Sequence, residues 1–156
     1  MDVFRVGDAK HIKDLSGTGA RLAGGRWNKK GTSVVYTAQS RALAVLESLV
    51  HFSPTTVPKN YKIATLYIPD TVSQTTVSMK ELPKNWRLFP PPSKLPSMGT
   101  NWLKSNTSLI LIVPSAIVSE EKNLLINPTH QELDQVQLVN IEKFTFDKRL
   151  FAKRAK

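Results

Sequence analysis

The sequence contains no cysteine and no long apolar run. Without cysteine, neither a disulfide nor a metal site built on thiolates is possible. Its most apolar run, residues 109–113, is far shorter than the roughly 20 residues that a membrane-spanning helix needs. The first residues also lack the basic and then apolar order of a secretory signal. These absences predict a soluble protein of the cytoplasm.

Acidic residues are scarce, with 12 Asp and Glu against 22 Lys and Arg, which gives a net charge of +10. Such a charge attracts anions, so nucleic acid, a phosphorylated small molecule and an acidic protein are all suitable partners. The basic residues are scattered except in residues 148–156, where five of nine are basic. No helix-turn-helix, zinc-finger or RNP-like pattern is present, which makes direct nucleic-acid binding less favoured.

The length of 156 residues predicts one domain with a real hydrophobic core. Several short strand patterns and few clear helices predict an α+β fold around a mixed or antiparallel sheet. The expected strands are residues 2–6 as a first edge strand, 32–37, 61–69, 71–79, 108–114 as a central strand, and 136–146. The expected helix is residues 41–50, and residues 123–128 are expected to be loop or turn.

Five of the seven glycines lie between Gly17 and Gly31. A glycine cluster indicates tight turns or a close approach to the backbone. The predicted strand at 32–37 follows, and then a helix for which Ser40 is the expected N-cap. No Walker lysine follows the glycines and no strand–glycine–helix order is present, so neither a P-loop nor a dinucleotide-binding turn is predicted.

The predicted helix carries a glutamate at an unusual place. Its inward stripe is expected to consist of Leu43, Leu46 and Val50. Glu47 lies on or beside this stripe, where a carboxylate is costly to bury unless another group pairs with it. Arg26 is the expected partner. The alternative is an exposed Glu47 that pairs with His51 one helical turn later.

Four residues together suit an anionic ligand that has a ring and a ribose. Arg26 can bind a phosphate or pyrophosphate with two hydrogen bonds, and Tyr36 can stack on a heterocycle or bond a ribose hydroxyl. Glu47 can stabilise the positive charge that develops as an N-glycosidic bond breaks. Ser115 can bond the ligand or orient Glu47.

Each of these residues also has a structural alternative. Arg26 can instead bind loop carbonyls, Tyr36 can belong to the core, and Ser115 can cap a helix that begins at Ala116. Ser115 lacks the Gly-x-Ser-x-Gly setting of a hydrolase nucleophile. The three histidines share no metal-ligand spacing, so no metal site is predicted; they are His11, His51 and His130.

The segment from residue 16 to residue 47, with Gly-Gly-Arg-Trp-Asn at 24–28, closely resembles the RES-domain family. These are toxins of bacterial toxin–antitoxin pairs, named for an arginine, a glutamate and a serine. The resemblance continues in order along nearly the whole chain. It includes Phe-Arg-Val at 4–6, Gly-Thr-Asn-Trp at 99–102, Pro-Ser-Ala at 114–116, Asn-Pro-Thr-His at 127–130 and Phe-Asp-Lys-Arg-Leu at 146–150.

The resemblance implies a single domain over residues 1–156 with the fold of diphtheria-toxin-like ADP-ribosyltransferases. It also implies a helix over residues 98–104, which contains the Gly-Thr-Asn-Trp segment. It implies NAD as the substrate and no metal. The family's arginine, tyrosine and glutamate correspond to Arg26, Tyr36 and Glu47, and its serine to Ser115. Three nearby serines are alternatives for that last position: Ser105, Ser108 and Ser119. Three further residues are predicted to bind the NAD: Gly25, Trp27 and Asn28. The alternative for Trp27 and Asn28 is that they only fix the loop.

The implied function is a toxin that consumes NAD by cleaving the nicotinamide–ribose bond, with water or inorganic phosphate as acceptor. One alternative is transfer of ADP-ribose to a cellular protein. The implied partner is an Xre-type antitoxin, through which any contact with nucleic acid would be indirect. A second alternative, from a different class, is a non-catalytic basic module that binds nucleic acid and in which Glu47 is structural.

Overall fold

Seven strands form one mixed sheet in the computed structural model, which describes residues 1–151. They are β1 (Asp2–Asp8), β2 (Val35–Ala38), β3 (Tyr61–Tyr67), β4 (Gln74–Thr76), β5 (Ile110–Pro114), β6 (Lys122–Ile126) and β7 (Gln137–Phe144). Their order across the sheet is β4-β5-β6-β2-β1-β3-β7. Only the β4–β5 pair is parallel among the described strands. The predicted α+β fold with a mixed sheet is confirmed.

Three α-helices accompany the sheet in the described part of the chain: α1 (Thr18–Ala23), α2 (Arg41–Leu49) and α3 (Lys94–Ser105). The predicted N-cap of α2 is confirmed, because the Ser40 hydroxyl accepts a hydrogen bond from the backbone N–H of Leu43 at 3.1 Å. α3 begins four residues earlier than predicted, at Lys94. None of these helices is long and apolar enough to cross a membrane.

The sequence prediction of a loop at residues 123–128 is wrong, because β6 occupies most of that segment. The asparagines and the proline of the segment suggested a turn, but its three apolar residues are buried between β5 and β2; they are Leu124, Leu125 and Ile126. Burial of these side chains outweighs the local turn preference.

Three further expectations need correction. β1 is not an edge strand, since it pairs with β2 on one side and with β3 on the other. The inward stripe of α2 is narrower than predicted: Leu43 is buried, whereas Val50 is 58 % exposed and lies just beyond the helix. The predicted strand 71–79 is reduced to three residues. Of the predicted basic C-terminal segment, residues 152–156 lie outside the described residues.

The sheet is buried on both faces of β5 and β6. Ile110 contributes to one core cluster, and its neighbour Leu111 contributes to another that includes Trp27 and Trp102. Such alternation is expected because successive side chains of a strand point to opposite faces. The second cluster places α3 against the glycine-rich segment.

The contact between α3 and the glycine-rich segment depends on one glycine. A Cβ atom at Gly99 would lie 1.9 Å from the carbonyl oxygen of Trp27. One residue further along α3, the hydroxyl of Thr100 accepts a hydrogen bond from the backbone N–H of Lys29 at 3.0 Å. The close approach and the hydrogen bond together fix the position of the glycine-rich segment against α3.

Substitution of Gly99 by alanine tests that contact. We expect Gly99→Ala to lower the free energy of unfolding by about 1–3 kcal/mol or more, because the added methyl group overpacks against backbone. Gly19→Ala is the matched control: a Cβ there meets no atom within 4 Å, and the change should raise stability by up to about 1 kcal/mol. Urea unfolding of both variants measures the difference. Equal effects would contradict the close approach.

Candidate active site

One cleft of about 1250 Å³ opens between the glycine-rich segment, α2 and the sheet. Two pieces of loop form its sides: the glycine loop, residues 24–31, and the rim segment, residues 86–92. The side chains that matter for chemistry are contributed by β1, β2, α2, β6 and both loops. They are Arg5, Arg26, Tyr36, Glu47, Phe89 and Asn123.

Asn28 holds the glycine loop together from inside. Its side chain is 1 % exposed, and its amide nitrogen donates to the carbonyl oxygens of Ala20 at 2.8 Å and Thr32 at 2.9 Å. The backbone of Gly25 closes the turn by donating to the carbonyl of Asn28 at 2.9 Å. Trp27 is 2 % exposed and belongs to the core. The side chains of both predicted ligand-contacting residues, Trp27 and Asn28, therefore build the loop.

Tyr36 links β2 to this loop through its hydroxyl group. The hydroxyl donates to the side-chain oxygen of Asn28 at 2.8 Å and accepts from the backbone N–H of Trp27 at 3.1 Å. Burial raises the pKa of Tyr36 well above its usual value, although the N–H of Trp27 and the charge of Arg26 act in the opposite direction. The phenol therefore stays protonated and keeps donating. A Cβ at Gly25 would lie 2.7 Å from this oxygen, so the loop requires glycine there.

Arg26 binds the rim segment. Its Nη1 donates to the carbonyl oxygens of Trp86 at 2.6 Å and of Leu88 at 3.1 Å. Burial lowers the pKa of Arg26, and the nearby negative charge of Glu47 opposes that change. The guanidinium remains charged at any physiological pH. Within residues 1–151 its Nε and Nη2 donate to no protein group, so one edge of the guanidinium is available for an anion.

The predicted ion pair between Arg26 and Glu47 is wrong. Both residues line the same cleft, but the carboxylate is held by neutral donors from the sheet instead. The alternative that Arg26 binds loop carbonyls describes its contacts in the structure. The other alternative, a pair between Glu47 and His51, is not formed in the described part of the chain.

Both donors to Glu47 bind the same carboxylate oxygen. Oε1 accepts from the Ser115 hydroxyl at 2.7 Å and from the Asn123 amide nitrogen at 2.6 Å. No group of residues 1–151 donates to Oε2, and Glu47 lines the cleft. The carboxylate is thus fixed through one oxygen and presents the other to whatever occupies the cleft.

Ser115 is completely buried behind Glu47. While its hydroxyl donates to Glu47, it accepts from the backbone N–H groups of Ile117 and Val118, each at 3.1 Å. These bonds cap the turn after β5, but no helix begins at Ala116 as one alternative predicted. The other candidate serines bond elsewhere, away from Glu47: Ser105 and Ser108 to the region of Trp102, and Ser119 to Glu120.

Three of the six cleft residues named above are not singled out by the sequence: Arg5, Phe89 and Asn123. The sequence misses Asn123 because it predicts a loop where β6 lies; the available signal is a polar residue at the start of an apolar run. Arg5 lies on β1, where its Nη1 donates to the carbonyl of Asp14. Burial lowers the pKa of Arg5, an effect that the charge of Asp14 opposes. Arg5 adds a second cation to the cleft. In residues 1–151 no group of three or more potential metal ligands occurs.

Removal of the Tyr36 hydroxyl tests the loop scaffold. Tyr36→Phe deletes two hydrogen bonds and leaves the buried oxygen of Asn28 without its donor. We expect a loss of about 1–3 kcal/mol in the free energy of unfolding. Tyr67→Phe is the control, since Tyr67 is 40 % exposed and such a surface change is usually within about 0.5 kcal/mol. Similar losses in the two variants would show that the hydroxyl does not hold the loop.

Comparison with known proteins identifies one type of domain along nearly the whole chain. The family model described as "RES domain" matches residues 2–147. The Prs ADP-ribosylating toxin of Sphingobium sp. (strain YBL2) is 40% identical over 142 residues, which cover 90% of this chain and 88% of that protein. A protein named Toxin Res from Yersinia enterocolitica is 39% identical over 153 residues, covering 96% of this chain and 99% of that protein.

A solved structure has the same fold. A chain of the M. tuberculosis MbcT–MbcA toxin–antitoxin complex superposes with a TM-score of 0.71 at 20% sequence identity. The match covers 92% of this chain and 84% of that chain. At this identity the likeness shows that the two chains share a fold.

Proposed function

The chain belongs to the RES domain family, and from this membership we propose that it is the toxin of a bacterial toxin–antitoxin pair that consumes NAD by cleaving the nicotinamide–ribose bond. The observation that carries the proposal is Glu47, which is fixed through Oε1 by two donors and presents Oε2 to a cleft that Arg5 and Arg26 also line. The names of the toxin relatives support the same class of function.

Glu47 acts on the bond that breaks. When the C–N bond between ribose and nicotinamide cleaves, its electron pair leaves with the nicotinamide, and positive charge develops on the ribose as in an oxocarbenium ion. A carboxylate held in a partly dry cleft stabilises that charge strongly and needs no reorganisation to do so. Ser115 and Asn123 are positioning residues, because they bind the carboxylate and not the substrate.

The arginines act on the pyrophosphate. The free edge of Arg26, formed by Nε and Nη2, has the fork geometry that binds a phosphate with two hydrogen bonds. Arg5, half-buried on β1, supplies a second positive charge. Together they suit a ligand with two linked phosphates.

The acceptor of the ADP-ribose is water, inorganic phosphate or a protein side chain. The name of the Sphingobium relative favours a protein acceptor as the second candidate function. Mass analysis of the products distinguishes the three outcomes, since free ADP-ribose, its phosphate ester and a protein with added mass differ. A purely nucleic-acid-binding module would leave NAD unchanged.

An antitoxin is the proposed partner, because an enzyme that consumes NAD endangers its own cell. The structurally similar chain comes from a toxin–antitoxin complex. We propose an Xre-type antitoxin that covers the mouth of the cleft near Arg26, so that contact with nucleic acid occurs only through it. The net charge of +10 favours acidic groups on the partner's contact surface.

Replacement of Glu47 by glutamine is the most direct test of the chemistry. An amide oxygen still accepts from Ser115 and Asn123, but the negative charge is lost. We expect turnover to fall by about 10²-fold or more, whereas NAD affinity changes far less. Turnover, NAD affinity and melting temperature are measured on the same preparation. The control is Glu120→Gln, an identical change at an exposed residue outside the cleft. Full turnover by Glu47→Gln would show that the acid is structural.

Replacement of Arg26 by lysine tests the phosphate-binding role. The charge is kept, but an ammonium group cannot bind a phosphate in the fork geometry while it also bonds two carbonyls of the rim segment. We expect a large increase of KM for NAD with the fold intact. Arg21→Lys, at an exposed position of α1 outside the cleft, should leave KM unchanged. Near-normal kinetics for Arg26→Lys would restrict Arg26 to anchoring the rim segment.

A further inference from the structure

The rim segment is fixed from two directions. From the glycine loop, Arg26 donates to the carbonyl oxygens of Trp86 and Leu88. Within the segment, Arg87 donates through Nε to the carbonyl of Ala116 at 2.9 Å and through Nη2 to that of Ile117 at 3.2 Å. The second pair of bonds reaches the same turn that Ser115 caps. The rim segment is therefore attached both to the phosphate-binding loop and to the support of Glu47.

Phe89 lies on this fixed segment and is exposed. Its side chain is 84 % accessible and lines the cleft. The three residues that follow are prolines, whose rings restrict the backbone on that side. The neighbouring cleft wall is apolar, with contributions from Pro90, Pro91 and Pro96. An aromatic face on a preorganised backbone stacks on a flat heterocycle at little entropic cost.

The groups that line the cleft match the three chemical parts of NAD. Glu47 presents a negative charge, which suits the pyridinium end. Arg26 lies in the same cleft and bonds the carbonyl of Leu88, next to Phe89. Arg26 therefore shares the cleft with the acid, whose charge acts on it, and is bonded to the segment that carries the aromatic ring. The pyrophosphate of NAD likewise joins the nicotinamide and adenine halves. The remaining neutral, flat end of the substrate meets the apolar wall.

We propose that Phe89 is the platform on which the adenine ring of NAD stacks. This inference rests on the proposed function, and it adds a residue that contacts the substrate at the end remote from the bond that breaks.

Substitution at Phe89 combined with two fragments of NAD tests this assignment. ADP-ribose keeps the adenine and lacks nicotinamide, whereas nicotinamide mononucleotide lacks the adenosine half. In Phe89→Ala we expect the inhibition constant of ADP-ribose and the KM for NAD to rise by about fivefold or more, from the usual loss on removing a stacked aromatic. The inhibition constant of nicotinamide mononucleotide and kcat should stay within twofold of wild type.

Two further variants complete the experiment. Phe89→Trp retains an aromatic face and should restore ADP-ribose binding. Val139→Ala, at an apolar residue on β7 that is 61 % exposed and outside the cleft, should change none of the constants. Because Phe89 is exposed, its variants should keep the wild-type melting temperature, which is measured in parallel.

The outcomes separate this inference from the proposed function. Unchanged ADP-ribose inhibition in a Phe89→Ala protein that still consumes NAD overturns the stacking role and leaves the function intact. Equal weakening of both fragments, or weakened antitoxin binding with unchanged KM, also overturns it. A folded wild-type protein that neither binds nor consumes NAD overturns the proposed function, and this inference with it.

Discussion

The carboxylate of Glu47 has to be hydrogen-bonded from the sheet, and much of the architecture follows from that requirement. A half-buried negative charge without donors would be costly, so α2 must lie where the sheet can supply them. Asn123 at the start of β6 and Ser115 just after β5 are adjacent because these two strands pair antiparallel. The antiparallel β5–β6 pair thus brings two donors to Oε1 of Glu47, on the α2 helix, which precedes both strands in the chain.

The opposite wall of the cleft depends on a second buried group, the amide of Asn28. Its nitrogen donates hydrogen bonds to carbonyl oxygens on either side of the glycine loop, and its oxygen accepts one from the hydroxyl of Tyr36. Gly25 and Gly99 permit the close approaches that this arrangement needs. The loop is consequently rigid where it presents Arg26, and rigid presentation is what makes a charged group effective toward a ligand.

The sequence predicts the parts of this structure that depend on local pattern. The α2 helix and its Ser40 cap, the strand at 61–67 and the apolar strand at 110–114 have patterns that need no distant partner. The sequence does not predict β6, because the asparagines and the proline of this segment indicate a turn. The segment is a strand because it pairs with β2 and β5, which are distant in the sequence. One of the two donors to Glu47, Ser115, is among the residues that the sequence suggests for orienting the acid. Charge complementarity suggests Arg26 as the partner, whereas the second donor in the structure, Asn123, is revealed only by the pairing of β5 with β6. The chemistry of the side chains and the family resemblance both group Arg26, Tyr36 and Glu47, which periodicity alone does not do.

The long sequence separation between Glu47 and its donors has a consequence for how the chain is made. Ser115 follows Glu47 by 68 residues and Asn123 by 76. At roughly 5–20 residues per second, a ribosome needs several seconds to add that stretch. During this interval the nascent chain already contains the glycine loop and the glutamate but not the two groups that fix the carboxylate. In an incomplete chain the Glu47 carboxylate therefore lacks both of its donors. The cleft can form only after these residues have been synthesised, which takes place several seconds after Glu47 is added.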